Sequence, residues 1–68
     1  MAVKQSIGNN VKTFRKRLGI SQDTLSKRAN LALLTVFKIE SGSTANPSVQ
    51  TIKKIADALE VPVDKLIG

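Results

Sequence analysis

The sequence predicts an all-α fold, a compact bundle of five short helices. Apolar residues recur at intervals of three and four through most of the chain, which is the spacing of one helix face. Glycine, serine and asparagine fall between these stretches, where helices end and begin. No stretch alternates apolar and polar residues as a strand would. With 68 residues and no cysteine, such a bundle must rely on packing alone for its stability.

The first helix has the clearest pattern. Its apolar stripe follows intervals of four, three and four and consists of Ile7, Val11, Phe14 and Leu18. Gly19 comes directly after the stripe, where a left-handed residue can end a helix. We therefore predict a first helix that ends at Leu18.

Two short helices are predicted next. Ser21 is a good N-cap for the second helix, whose inward residues are Leu25 and Ala29. Asn30 can adopt the left-handed conformation that ends it. The third helix is predicted from Leu33 to Ser41, with its inner face formed by Ala32, Val36 and Ile39 and its end at Gly42. Because Ala32 has no side-chain acceptor, we expect the first turn of this helix to be held less firmly.

The fourth and fifth helices follow a loop that runs from Gly42 to Pro47. Ser48 caps the fourth helix, and the helical spacing is kept by Val49, Ile52, Ile55, Ala56 and Leu59. Pro62 is expected in the first turn of the last helix. The bundle is then closed by Val63, Leu66 and Ile67.

The charge of the chain favours a polyanionic partner. Eleven Lys and Arg against five Asp and Glu give a net charge of +6. This bias indicates nucleic acid first and an anionic membrane second, with solubility alone as the simplest alternative. No stretch approaches the roughly 18 apolar residues of a membrane span. Residues 1–10 lack the apolar run of a secretory signal, so we expect a cytoplasmic protein without a membrane partner.

Catalysis is not expected. The sequence contains no His and no Cys, which removes the commonest general base and the commonest metal ligands. The carboxylates are scattered singly, and the serines are explained as caps, turns or surface. We therefore expect no enzyme activity, no metal and no cofactor.

Three segments together resemble the Cro/C1-type (Xre-like) helix-turn-helix family, to which the lambdoid phage repressors belong. They are ISQDTLS at 20–26, VFKIESG at 36–42 and NPSVQTI at 46–52, and the similarity extends over residues 7–66. The resemblance implies five helices of the lambda-repressor-like type, the second and third forming the helix-turn-helix. It also implies that residues 1–68 are a single domain that binds double-stranded DNA as a transcriptional regulator, acting as a repressor.

The resemblance also implies which residues meet DNA. The third helix would lie in the major groove, where Lys38 could donate to guanine and Leu33 or Leu34 could cover a thymine methyl. Gln22 matches a position that touches a phosphate or an outer base. The remaining candidates are Ala32 and Thr35 on the third helix, Lys12, Lys16, Arg17 and Lys27 for phosphates, and Ser43 and Asn46 in the loop.

Arg15 and Glu40 match a partly buried ion pair of the phage repressors. A bidentate pair would fix the first helix against the third. Glu40 is the only acidic residue between Asp23 and Asp57, which favours this pair over the alternative that Arg15 faces a phosphate.

The third helix departs from the family pattern, since Ala32, Leu33 and Leu34 cannot donate hydrogen bonds to base edges. A second interpretation therefore stays open, in which Leu33, Leu34 and Phe37 form an exposed apolar patch for a protein partner, as in an antitoxin. In a third interpretation Phe37 packs against Leu33 and the loop. We expect Phe37 to be packed and Leu34 to be exposed.

A single domain reads few base pairs, so we expect a homodimer on a pseudo-palindromic site. In the family the fourth and fifth helices form the dimer contact. The candidates here are Val61, Val63, Leu66 and Ile67, although for Leu66 we favour a place in the core.

Overall fold

The computed structural model describes residues 7–43 and 47–67, and within these residues the chain forms five α-helices and no strand. Their bounds are α1 Ile7–Leu18, α2 Gln22–Arg28, α3 Leu33–Ser41, α4 Val49–Leu59 and α5 Val63–Ile67. The predicted all-α, five-helix fold is therefore confirmed. In this part of the chain, none of the helices has the length and apolar character needed to cross a bilayer.

The helix ends follow the local signals in the sequence. Ser21 and Ser48 each accept a hydrogen bond from the backbone N–H three residues later, as N-caps do. Ala32, by contrast, begins α3 without any side-chain cap. Gly19 and Gly42 adopt φ values of 70° and 84° directly after α1 and α3, a left-handed conformation that glycine adopts without steric cost.

The sequence did not predict how two helix ends are formed. The fourth helix ends at Leu59, and Glu60 directly after it adopts a left-handed conformation with φ 60° and ψ 40°, although this region is unfavourable for a residue with a Cβ atom. Nothing in its sequence indicated this role. Pro62 lies directly before α5, where its carbonyl accepts from the Lys65 N–H; it is not in the first turn of the helix.

One hydrophobic cluster joins all five helices. Its fully buried side chains are Val11, Leu25, Val36, Ile39, Ile55, Leu59 and Leu66. Leu66 is thus a core residue, as the sequence predicted. Since α2 and α3 both contribute to this cluster, burial of apolar surface holds the two helices of the helix-turn-helix in a fixed relation.

Three residues that the periodicity assigned to the apolar faces are exposed. Val49 is 79% exposed, Ile67 46% and Leu18 42%. Each lies in the first or last turn of its helix. Helical spacing identifies the face of a helix that turns inward, but it does not predict how much of that face the neighbouring helices cover.

Helices α1 and α3 approach each other closely at Gly8. A Cβ atom placed on Gly8 would overlap the backbone carbonyl oxygen of Ile39 and lie 3.1 Å from that of Glu40. Further along α1, Asn10 Nδ2 donates to the carbonyl oxygen of Leu66 at 2.7 Å. These contacts fix α1 against α3 on one side and against α5 on the other.

Candidate nucleic-acid interface

The outer face of α3 is dominated by apolar side chains. Leu33, Leu34 and Phe37 are 47%, 59% and 55% exposed, and Lys38 is exposed beside them. Helical geometry places Leu34, Phe37 and Lys38 on the side opposite Val36 and Ile39, which are buried, and Leu33 at the edge of that side. The expectation that Phe37 is packed is therefore wrong, because the core is filled by the opposite face of α3. The expected exposure of Leu34 is confirmed.

The beginning of α3 is also open. Ala32 is exposed, and the structure gives it no side-chain cap, while Thr35 is half-buried in the first turn. Without a capping side chain, the first amides of a helix remain available to solvent or to a ligand. These two candidate residues therefore lie at the open end of α3, next to Leu33 and Leu34.

Behind this face, Arg15 of α1 and Glu40 of α3 form a bidentate ion pair. Arg15 Nε donates to Glu40 Oε2 at 2.7 Å, and one terminal nitrogen donates to Oε1 at 3.0 Å. The side chains are 12% and 3% exposed. The other terminal nitrogen of Arg15 donates to the Ile20 carbonyl at 2.9 Å, so the guanidinium also fixes the turn between α1 and α2.

Gln22 completes this network from α2. Its Nε2 donates to Glu40 Oε1 at 3.1 Å, so the first residue of α2 is joined to α3. The hydrogen bond to Glu40 raises the pKa of Arg15 above its ordinary value, against the opposing effect of burial. The guanidinium therefore remains charged, and both carboxylate oxygens of Glu40 have hydrogen-bond partners.

The basic candidates on α1 lie at two positions, one at a groove between helices and one beside Phe14. Lys12, Gln22 and Phe37 line one open groove of about 310 Å³ between α1, α2 and α3. Lys16 lies one turn after Lys12 and is exposed, so the two share a face of α1. Arg17 stacks over the Phe14 ring at 5.4 Å, an arrangement that restrains the guanidinium.

Lys27 stands apart from this groove on α2. It pairs with Asp23 at 3.1 Å, and both side chains are well exposed. A pair of this kind is weak and exchanges readily with solvent. Lys27 is therefore free to turn toward a phosphate. Asp23 on the same helix partly neutralises its charge.

The loop candidates are only partly described. Ser43 is exposed and its hydroxyl lies 3.0 Å from that of Ser41. Asn46 lies outside the described residues. Among the residues that the structure does describe, no group of three acidic, His or Cys side chains could hold a metal ion.

Sequence reasoning missed several contacts of this site. The Gln22–Glu40 bond, the Arg15–Ile20 bond and the close approach at Gly8 all join different segments of the chain. The residue types provided no signal for them. Among these features, only the exposure of Phe37 could have been predicted from the sequence, because Phe37 lies next to Lys38 and one turn after Leu33.

Known proteins share this sequence pattern and geometry. Residues 11–66 match the helix-turn-helix family. The chain is 38% identical to the HTH-type transcriptional regulator SlrR of Bacillus subtilis over 60 residues, which cover 88% of this chain and 40% of SlrR. It is 34% identical to the regulator SinR of Bacillus subtilis over 61 residues, or 90% of this chain and 55% of SinR.

A solved structure agrees with these relatives. The fold is similar to the crystal structure of SinR, a master regulator for biofilm formation, in complex with DNA, with a TM-score of 0.88 and 34% identity. That match covers 91% of this chain and 98% of the SinR chain. The chain spans about half the length of the curated relatives it matches. From the family match, the relatives and the helix-turn-helix geometry together, the chain belongs to the Cro/C1-type helix-turn-helix family.

Proposed function

We propose that residues 1–68 form one domain that binds double-stranded DNA in a sequence-specific manner and regulates transcription as a repressor. One observation carries this proposal. The outer face of α3 is exposed, and the helix is fixed from behind by the core and by the Arg15–Glu40 pair. A rigid, exposed helix whose inner face is fully engaged has the form that the major groove admits.

In this proposal each group of residues has a separate task. The first turn of α3 and Lys38 approach base edges, with Lys38 donating to guanine O6 or N7. The contacts of α3 comprise Ala32, Leu33, Leu34, Thr35 and Lys38. Phosphate contacts, which set the register without reading sequence, are assigned to Lys12, Lys16, Arg17, Lys27, Gln22, Ser43 and Asn46.

The relatives support this assignment. SlrR and SinR are named transcriptional regulators, and SinR has been crystallised with DNA. Because those relatives are bacterial and bacterial DNA lies in the cytoplasm, we place the action of this chain there.

We also propose that the chain binds as a homodimer on a pseudo-palindromic site, because one domain reads too few base pairs for useful discrimination. Leu66 is fully buried within the chain, whereas Ile67 is 46% exposed, and Val61 and Val63 are half-buried. A dimer contact therefore uses Ile67 with the outer parts of Val61 and Val63.

The test is selection from a pool of randomised DNA duplexes, followed by titration of the enriched sequence at several salt concentrations. We expect a consensus with two inverted half-sites, and log K that falls with log salt at about 0.9 per phosphate bound. Salt-sensitive binding without any consensus would contradict sequence-specific regulation.

Matched variants then separate residues that bind phosphate from bystanders. Lys12→Ala and Lys16→Ala each weaken binding to all sequences alike, and each lowers the steepness of the salt dependence by about two, because the dimer loses two phosphate contacts. Lys54→Ala, an equal reduction of charge on the exposed side of α4, leaves both quantities unchanged. Equal effects of all three variants would show that the net charge, and not the α1 surface, holds DNA.

A further inference from the structure

Arg17 lies on a side of α1 separate from the lysines proposed to meet DNA. It follows Asn10 by seven residues, close to two helical turns, so the two side chains share one face. Asn10 donates to the Leu66 carbonyl of α5 at 2.7 Å, so this face of α1 is turned toward α5. Lys12, which lines the groove between α1, α2 and α3, lies about 140° away around the helix axis. The place of Arg17 therefore indicates a contact other than the phosphate that the family resemblance implies.

The charge of Arg17 is held in position, but it is not neutralised within the described part of the chain. The guanidinium lies 5.4 Å from the centroid of the Phe14 ring, and Phe14 packs against the core. Arg17 is exposed, and the ion pairs among the described residues do not include it. It is therefore an oriented cation that is free to meet a carboxylate of a partner.

The complementary negative charge lies at the end of α4 and the start of α5. Asp57, Glu60 and Asp64 are three of the five acidic residues of the chain, and residues 57–64 contain no Lys or Arg. All three are exposed, and among the residues that the structure describes none of them forms an ion pair. We name Glu60 and Asp64 the acidic edge. They directly flank residues 61–63, which contain both valines of the proposed dimer contact.

We propose that Arg17 of one copy of the chain pairs with the acidic edge of a second copy, an inference that rests on the homodimer proposed above. In an isologous dimer, a contact from residue i of one copy to residue j of the other is repeated from j to i by the two-fold axis. A cation and a carboxylate that border the same surface therefore form two sets of ion pairs in one dimer.

The charges favour a second copy as the occupant of this surface. Two chains that each have a net charge of +6 repel each other over most of their surfaces. Residues 57–64 are the stretch where that repulsion is reversed, and Arg17 borders the same side of the bundle through α5. Complementary charges of this kind align the correct surfaces and oppose other pairings.

The apolar part of the contact is small, so the ion pairs matter to its formation. Ile67 is 46% exposed there, and Val61 and Val63 are half-buried. A stable interface involves about 20–30 residues on each side. Apolar burial by these three side chains alone therefore predicts a weak dimer, whose affinity responds to the charges at its border.

The test is a charge exchange between two purified variants of the full chain. In Arg17→Glu, a glutamate faces the acidic edge of the partner. In the double variant Glu60→Arg with Asp64→Arg, arginines face the partner's Arg17. We expect each variant alone to dimerise more weakly than the parent by about tenfold or more, because like charges oppose each other across the contact. In an equimolar mixture both contacts again join opposite charges, and the affinity of the mixed dimer returns to near that of the parent.

Two measurements report the dimer. Sedimentation equilibrium gives the dimerisation constant without DNA. On DNA, the cooperativity is the affinity for a duplex with two half-sites compared with the affinity for a duplex with one. This ratio cancels the general effect of a variant's net charge on DNA binding. An ion pair inside one chain cannot be rebuilt by mixing, so recovery in the mixture assigns the contact to two copies.

Arg28→Glu is the matched control. It reverses an exposed arginine on α2, a helix that packs against α3 and α4, and we expect it to leave the dimerisation constant unchanged. A milder variant, Arg17→Ala, weakens the dimer about fivefold, as expected for the loss of two exposed ion pairs. Because Arg17 is exposed, these variants fold, as an unchanged melting temperature will verify.

The outcomes distinguish this inference from the proposals on which it rests. A parent that stays monomeric and fills two half-sites independently overturns the homodimer, and the pairing of Arg17 fails with it. If the parent dimerises and Arg17→Glu dimerises equally well, or if the mixture does not recover, the pairing is overturned while the homodimer stands. On a duplex with one half-site, Arg17→Ala keeps the slope of log K against log salt. A slope reduced by about 0.9 would show that Arg17 holds a phosphate, and would overturn the inference.

Discussion

Gln22 Nε2 donates a hydrogen bond to Glu40 Oε1 at 3.1 Å, and the same carboxylate also holds Arg15. The bond joins the first residue of α2 to the end of α3, so three helices meet at one buried carboxylate. The position of α3 relative to α1 and α2 depends on this network as well as on apolar packing.

Replacement of Gln22 tests the bond to Glu40. Gln22→Ala removes a hydrogen bond to a charged group, so we expect the free energy of unfolding to fall by about 1.5 kcal/mol. Gln22→Glu should cost more, because it places a second carboxylate beside Glu40. Urea denaturation of the three proteins measures both effects. If Gln22→Glu is as stable as the parent, the two side chains are not bonded in solution.

Removal of Arg15 should be among the most destabilising single substitutions. Arg15→Ala leaves Glu40, whose side chain is 3% exposed, without its ionic partner, and we expect the free energy of unfolding to fall by about 3–5 kcal/mol. Lys27→Ala removes an exposed pair with Asp23 and should change stability by less than about 1 kcal/mol. Thermal melting and urea denaturation provide the comparison.

A double variant identifies the origin of the Arg15 effect. When Arg15→Met is combined with Glu40→Met, no unpaired charge remains, and part of the stability should return. A double variant that is no more stable than Arg15→Ala would show that the destabilisation comes from packing of the arginine and not from the isolated carboxylate.

Gly8→Ala tests the close approach of α1 to α3. Alanine favours a helix over glycine by roughly 0.5–1 kcal/mol, but its Cβ would overlap the Ile39 carbonyl, and backbone atoms cannot move aside locally. We expect a net destabilisation of about 3 kcal/mol. Lys16→Ala, at an exposed position of the same helix, should stay within about 0.5 kcal/mol of the parent. A stabilised Gly8→Ala protein would mean that the helices lie further apart.

Glu60→Gly should stabilise the domain. The left-handed conformation of Glu60 costs about 1–2 kcal/mol for a residue with a Cβ atom, while glycine adds roughly 0.4–1 kcal/mol of unfolded-state entropy. We expect a net gain of about 0.5–1 kcal/mol, or a rise of about 4 °C in Tm, which thermal melting measures.

Asn30→Gly is the matched control for Glu60→Gly. Asn30 also has a positive φ, of 56°, but asparagine tolerates this region far better than glutamate. Its replacement should therefore leave Tm nearly unchanged. Equal shifts for the two variants would argue that backbone strain at Glu60 is not the cause.

The helices and most of their ends were predictable from the order of the residues. The intervals of three and four among apolar residues, the N-caps Ser21 and Ser48, and the stop at Gly42 are all local signals. They act within one or two turns of the chain, so no knowledge of the tertiary structure is needed to use them. The buried place of Leu66 followed from the same spacing.

Which side chains meet and which remain exposed was settled by the packing of the five helices. The bond from Gln22 to Glu40 and the contact at Gly8 join residues on different helices, and the exposure of Phe37 depends on what the rest of the bundle covers. Periodicity predicts which face of a helix turns toward the core. How far the neighbouring helix extends along that face, and how closely it approaches, depend on the packing of the whole core. For that reason the sequence was enough to identify α3 as the helix that lies in the major groove, while the fold determined which of its apolar side chains are exposed.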